Sequence, residues 1–148
     1  MFKFSMQTAL DVRGKQEKIQ MKEMAQRLAV LQAIEAQMTA IQDQMDASAS
    51  QLGQAKQAGQ INLGDFKFLD QFRFKKRQEL GRLEARRKEA AAATEKARLA
   101  LVEAAKKRKT LEILSDREKD RYEKRLARLE RQFLDETATN LFTMQQRS

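Results

Sequence analysis

Apolar residues recur at seven-residue intervals through the first third of the chain, at Met24, Leu31, Met38, Met45 and Leu52. Ile34 and Ile41 fill the companion positions three residues after Leu31 and Met38. Spacings of three and four confine the apolar residues to a narrow stripe, the a/d seam of a helix that faces one partner helix. Further along, Leu80, Leu83, Ala90, Ala97, Leu101, Ala104 and Leu111 keep the same alternation, with Arg87, Thr94 and Arg108 as interruptions. The small residues at 90, 97 and 104 let another helix approach closely. Near Glu118 the pattern shifts and resumes as Tyr122, Leu126, Leu129 and Phe133. A four-residue offset of this kind is a stutter, which locally unwinds a supercoil.

One interruption separates the two periodic stretches. Gly53, Gly59 and Gly64 lie within twelve residues, with Ser48, Ser50 and Asn62 nearby. No other segment is so rich in residues that weaken helices or accept positive φ. The pattern therefore predicts a helix over 5–52, a loop over 53–64 and a helix over 65–145, with Ser5 and Asp65 as N-caps. A loop this short folds the helices back on each other. The expected fold is all-α: a two-helix antiparallel coiled-coil hairpin with a longer second helix, one coiled-coil domain over 1–148. With Leu52 opposite Phe68, Ser5 faces roughly Ser115, and the second helix runs on alone for about thirty residues, or roughly 45 Å. There Tyr122, Leu126, Leu129 and Phe133 have no partner within the hairpin. A single amphipathic helix is marginal alone, so an external partner, a wider loop or a dimer must cover that stripe.

Composition agrees with long helices. The 148 residues contain no Pro, Cys or His and only 5 Gly. Average usage would supply roughly 5% Pro, and its absence fits a chain that seldom turns. With 34% charged and 6% aromatic residues, a large globular core is not expected. Disulfides, zinc sites, thiol nucleophiles and histidine bases are excluded. The glycine-containing run Gly59-Gln60-Ile61-Asn62-Leu63-Gly64 continues with Asp65, so it is not a phosphate-binding P-loop. Carboxylates on a two-helix scaffold have no pocket in which to acquire raised pKa values. Neither an enzyme nor a cofactor site is expected. No apolar run approaches the roughly 18 residues of a spanning helix, and Met1-Phe2-Lys3-Phe4-Ser5-Met6 lacks the features of a signal peptide. The chain is expected to be cytoplasmic, with no membrane insertion.

The charge is unevenly distributed. Residues 1–65 hold seven basic and seven acidic side chains, which leaves twenty-three basic and fourteen acidic in 66–148 and assigns the whole net charge of +9 to the second helix. The clusters are Arg73, Lys75, Lys76 and Arg77, then Arg86, Arg87 and Lys88, then Lys106, Lys107, Arg108 and Lys109. Such clusters are the footprint sought for nucleic acid. Here they point all round the helix, are interleaved with acids, and accompany no nucleic-acid-binding motif. A solvated flank with i,i+4 pairs such as Asp120–Lys124 and Glu84–Lys88, or an acidic protein partner, is the better reading, and no nucleic acid is expected.

Half of the eight phenylalanines sit just past the loop, at Phe66, Phe68, Phe72 and Phe74 beside Leu69. Two readings stand. They cap the hairpin against Leu52, Ile61 and Leu63, or they form a docking knob, since aromatic side chains dominate interface hot spots. Phe2 and Phe4, with Leu10 and Val12, make a smaller apolar cluster at the other end.

In order and spacing, several segments resemble the bacterial flagellar export protein FliJ family over essentially the whole chain. They are the opening Phe2-Lys3-Phe4 followed by Leu10, the loop Ala58-Gly59-Gln60-Ile61-Asn62, the run Thr110-Leu111-Glu112-Ile113-Leu114-Ser115-Asp116-Arg117 through Tyr122, and Phe133-Leu134-Asp135-Glu136-Thr137-Ala138. The resemblance implies an antiparallel coiled coil similar to the central stalk subunit of rotary ATP synthases. It implies a role in flagellum biogenesis and motility as a non-enzymatic component of type III protein export. In that role the protein links the export ATPase ring to the cytoplasmic domain of the membrane export gate and escorts substrate-specific export chaperones. It would sit in the cytoplasm, peripheral at the inner membrane. Carried onto this chain, ATPase-ring binding falls to Leu111, Leu114, Tyr122, Leu126, Leu129 and Phe133. Gate binding falls to Phe68, Leu69, Phe72, Leu80 and Leu83. Gly14 and the run Lys75-Lys76-Arg77 depart from the family pattern. The alternatives are a general structural coiled-coil adaptor or homodimer and, further off, a basic nucleic-acid-binding helical protein.

Overall fold

The computed structural model describes every residue except Ile61. Two helices account for most of the chain: α1, Gln7–Gln57, and α2, Leu63–Arg147, of 51 and 85 residues. Among the described residues there is no strand.

Both helices begin and end elsewhere than the glycine count predicts. Gly53 and Gly64 lie inside the helices, and Gly59 alone has positive φ, at 71°. A glycine in a helix interior costs roughly 1 kcal/mol; beside Gly53, Leu52 and Ala55 are half-buried on the seam. Gly59 ends α1 in a Schellman arrangement. Its N–H donates to the Lys56 carbonyl at 3.2 Å, and the Gln60 N–H donates to the Ala55 carbonyl at 3.0 Å. The cap of α2 is Asn62, not Asp65: the Asn62 Oδ1 accepts the Asp65 N–H at 2.9 Å, while an Asp65 carboxylate oxygen accepts the Asn62 N–H at 3.4 Å. Asp65 is therefore the third helical residue of a reciprocal capping pair. Ser5 is not a cap either. Its hydroxyl donates to the Glu118 carboxylate at 3.3 Å, and α1 starts two residues later.

The chain divides into two compact units, Ile19–Val102 and Met1–Lys18 with Glu103–Ser148. In the first, α1 and α2 run antiparallel and bury Ile34, Leu69, Leu83 and Ala97 against one another. Leu31, Met38, Ile41, Met45 and Leu52 are half-buried on α1, as are Phe72, Leu80, Ala90 and Leu101 on α2. Arg87 and Thr94, which look like interruptions in the sequence, are half-buried seam positions too. The Arg87 stem lies along the seam while its guanidinium donates to Glu84 at 2.6 and 2.9 Å. The Thr94 hydroxyl is satisfied by the Ala90 carbonyl at 2.8 Å.

The second unit has a polar seam. Phe4 is buried, and the half-buried Arg108 guanidinium donates to Glu17 on the opposing helix and pairs with Glu112 on its own. Leu111, Ser115, Glu118 and Tyr122 are half-buried in turn, which continues the alternation of four and three without a shift. The expected stutter is thus absent as far as Tyr122. An apolar count skips Ser115 and Glu118, although both occupy the seam. Ser5 meets Glu118 rather than Ser115, about one helical turn further along α2. The first residues reach further still: the Met1 ammonium donates to the Tyr122 hydroxyl at 3.2 Å, and the Phe2 and Tyr122 ring centroids are 5.6 Å apart. From Glu123 to the end, every residue is exposed.

Candidate interaction surfaces

Six residues of the second unit were expected to contact the ATPase ring, and the structure sorts them into two groups. Leu111 and Tyr122 are half-buried in the seam, with Tyr122 held under Phe2 and the N-terminus. Leu114 lies at the edge of this packing and is exposed. Leu126, Leu129 and Phe133 are 40%, 55% and 68% exposed and lie on one helix face, three and four residues apart. Three turns further on the same face lies Met144, with Leu134 and Leu141 along its border, all exposed. These last three were missed in the sequence, although the spacing from Phe133 to Met144 is that of a helix face. Around this face the charges nearly balance, with Lys124, Arg125, Arg128, Arg131 and Arg147 against Glu123, Glu130, Asp135 and Glu136.

The five residues expected to contact the gate do not form one surface. Leu69 and Leu83 are buried between the helices, and Leu80 and Phe72 are half-buried. Phe68 is exposed, and with Leu69, Phe72, Leu52 and Ala55 it borders a shallow groove between the ends of α1 and α2. The aromatic cluster is divided between packing and solvent. Leu69 and Phe72 pack toward Leu52, while Phe66, Phe68 and Phe74 remain exposed, as does Leu63. The expected packing partner Ile61 lies outside the described residues. Lys76 closes the seam side of Phe72, with its Nζ 5.6 Å from the ring centroid and 3.4 Å from Glu79.

Three arginines and their carboxylate partners account for the shifted ionisable groups. The Arg87 guanidinium, hydrogen-bonded to Glu84, holds that carboxyl below its ordinary value, and Arg98 does the same for Glu95. The Arg108 pKa is raised by hydrogen bonds to Glu17 and then Glu112. All these shifts favour the charged forms. Among the described residues, no cluster of acidic side chains is arranged to hold a metal ion. No helix is long and apolar enough to cross a membrane.

An antiparallel pair of helices with a satisfied seam, and an exposed apolar face on the longer helix, is an all-α two-helix hairpin. The family model described as the flagellar FliJ protein matches residues 2–147, and the chain belongs to the FliJ family. No curated protein and no solved structure matches it. Membership makes the chain a component of flagellar protein export, in a family that is structural and export-associated rather than a known class of enzyme.

Proposed function

We propose that the chain is a stalk-like coiled coil that links the export ATPase ring to the cytoplasmic domain of the export gate and escorts substrate-specific export chaperones, at the cytoplasmic face of the inner membrane. The observation that supports this reading is the exposed stripe Leu126, Leu129 and Phe133 on a stretch of α2 where every residue is exposed. An apolar stripe on an otherwise polar helix is stabilised by a partner of complementary shape. The near-balance of charge around it suits a protein surface.

In this reading Leu126, Leu129 and Phe133 contact the ATPase ring directly, and Tyr122 marks where the packing within the chain ends. Leu111 and Leu114 support that stretch of α2 from the seam side. At the gate, Phe68 is the contact residue and Phe72 its half-buried neighbour. Leu69, Leu80 and Leu83 act from beneath, by holding the helix pair together.

The test is a double substitution, Leu126→Asp with Leu129→Asp, in the full chain. Both side chains are exposed, so circular dichroism should stay helical while co-purification with the export ATPase is lost. Retained co-purification would overturn the assignment. A parallel homodimer through the seam is disfavoured by the burial of Ile34, Leu69, Leu83 and Ala97 within one chain, and sedimentation of the purified protein distinguishes the two states.

A further inference from the structure

The start of α2 carries a second exposed apolar stripe, on a face that the gate-binding reading does not use. At 3.6 residues per turn, Leu63, Phe66 and Phe74 fall on one side of the helix, opposite the half-buried Phe72, with Phe66 bordering the buried Leu69. All three are open to solvent, at 72%, 43% and 63%. Lys67, Arg73 and Arg77 flank this stripe, and among the described residues none of the three takes part in an ion pair.

The surrounding charge is one-sided. From Ala47 to Gly64 there is no acidic residue. Across 47–77 the basic residues are Lys56, Lys67, Arg73, Lys75, Lys76 and Arg77, against Asp65 and Asp70. The Asp65 carboxylate is engaged by the Asn62 N–H in the helix cap. Asp70 lies on the stripe itself, among the three flanking cations. Apolar side chains bordered by unpaired cations are the pattern of a helix that rests in the headgroup layer of a membrane, with its apolar side chains about 5–10 Å deep. The contrast with the far end of α2 discriminates between partners. There the apolar face is bordered by nearly balanced charge, which suits a protein, whereas here the excess is basic.

We propose that the face Leu63, Phe66 and Phe74, with Lys67, Arg73 and Arg77, adsorbs on an anionic lipid surface. The interaction is peripheral: the two phenylalanine rings and the leucine enter the interface, and the cations meet lipid phosphates. Binding then strengthens with anionic lipid content and weakens as salt screens the charges. Each cation near the surface contributes about fivefold in binding, so loss of all three costs roughly a hundredfold.

The experiment is flotation of the purified full chain with vesicles of phosphatidylcholine, with and without phosphatidylglycerol. The unmodified chain should float with the phosphatidylglycerol vesicles alone. Two variants, Lys67→Gln/Arg73→Gln/Arg77→Gln and Phe66→Ala/Phe74→Ala, should each lose most of that binding, with circular dichroism unchanged. A third, Lys106→Gln/Lys107→Gln/Lys109→Gln, removes as much charge elsewhere on α2 and should keep it. Equal loss in the first and third variants would show non-specific adsorption of a basic protein and overturn the proposal. So would retention of binding by the phenylalanine variant. Absence of binding to either vesicle would leave the face to a protein partner and overturn it too. Since the assay contains neither ATPase nor gate, its result is independent of the stalk reading.

Discussion

Leu83 and Leu129 are the same residue type on the same helix, and the structure gives them opposite roles. Leu83 is 8% exposed, packed in the seam near Ile41, whereas Leu129 is 55% exposed on a stretch of α2 where every residue is exposed. Truncating each to alanine therefore separates a side chain that holds the helices together from one that is free to bind. Burying a leucine contributes about 1.5–3 kcal/mol, and Leu83 retains almost all of that. Large-to-small changes in globular cores cost about 2–5 kcal/mol because a cavity is left behind. A two-helix seam is open to solvent on both sides and closes up more easily, so the lower end applies, about 2 kcal/mol for Leu83→Ala. For Leu129→Ala less than half the transfer term is at stake, and alanine is the better helix former by a few tenths of a kcal/mol. The net change should stay within about 0.5 kcal/mol. Urea unfolding followed by circular dichroism measures both. A Leu83→Ala midpoint equal to that of the unmodified chain, or a Leu129→Ala loss as large as that of Leu83→Ala, would refute the seam described for these helices.

Three shorter predictions follow from single observations. Replacing Gly59 by alanine should destabilise by about 1–2 kcal/mol through its left-handed backbone alone, since an added Cβ meets nothing within 4 Å; an unchanged urea midpoint would mean that the α1 terminus is not held in this conformation. Because Glu84 and Glu95 have lowered pKa values in the folded chain, their pairs contribute fully at neutral pH and that contribution is lost as pH falls through the folded values, below the ordinary carboxylate range. The melting temperature should decline modestly in acid, the pairs being at the surface, and Glu84→Gln/Glu95→Gln should shrink the decline. Brief trypsin treatment should cut first after Lys124, Arg125, Arg128 and Arg131, all on the exposed end of α2; mass spectrometry showing first cuts after Arg86 or Arg87 would contradict the packing.

The apolar heptads made the helices, their antiparallel pairing and the greater length of α2 legible before any coordinates. The errors share one cause, which is that residue type was read without its local geometry. Three glycines mark a wide loop only if each is used as a glycine, and here Gly59 alone is; the true signal was the spacing Asn62-x-x-Asp65, a reciprocal cap at the start of α2. Likewise Arg87, Thr94 and Arg108 were read as interruptions, and a shift was expected near Glu118, because a seam was equated with apolar residues. Each of the four sits in it with a hydrogen bond to its polar group. The loop-proximal candidates failed to form one surface for a related reason. Phe68 and Leu69 are adjacent in sequence but about 100° apart around a helix, which is enough to place one in solvent and the other in the core.

That difference in seam chemistry has a physical consequence for the two units. In Ile19–Val102 the interior contacts are aliphatic and include Ile34, Leu69 and Leu83, whose burial contributes stability with little directional demand. In the unit formed by Met1–Lys18 and Glu103–Ser148, the buried Phe4 and the Phe2–Tyr122 ring contact are joined by polar contacts across the seam: Arg108 with Glu17, Ser5 with Glu118, and the Met1 ammonium with the Tyr122 hydroxyl. Charged and polar seam positions fix which residue faces which, because a one-step slip leaves each group unsatisfied, but they add less net free energy than apolar packing. The polar unit thus has a specified register, and it is the unit in which α2 extends its uncovered Leu126–Phe133 face.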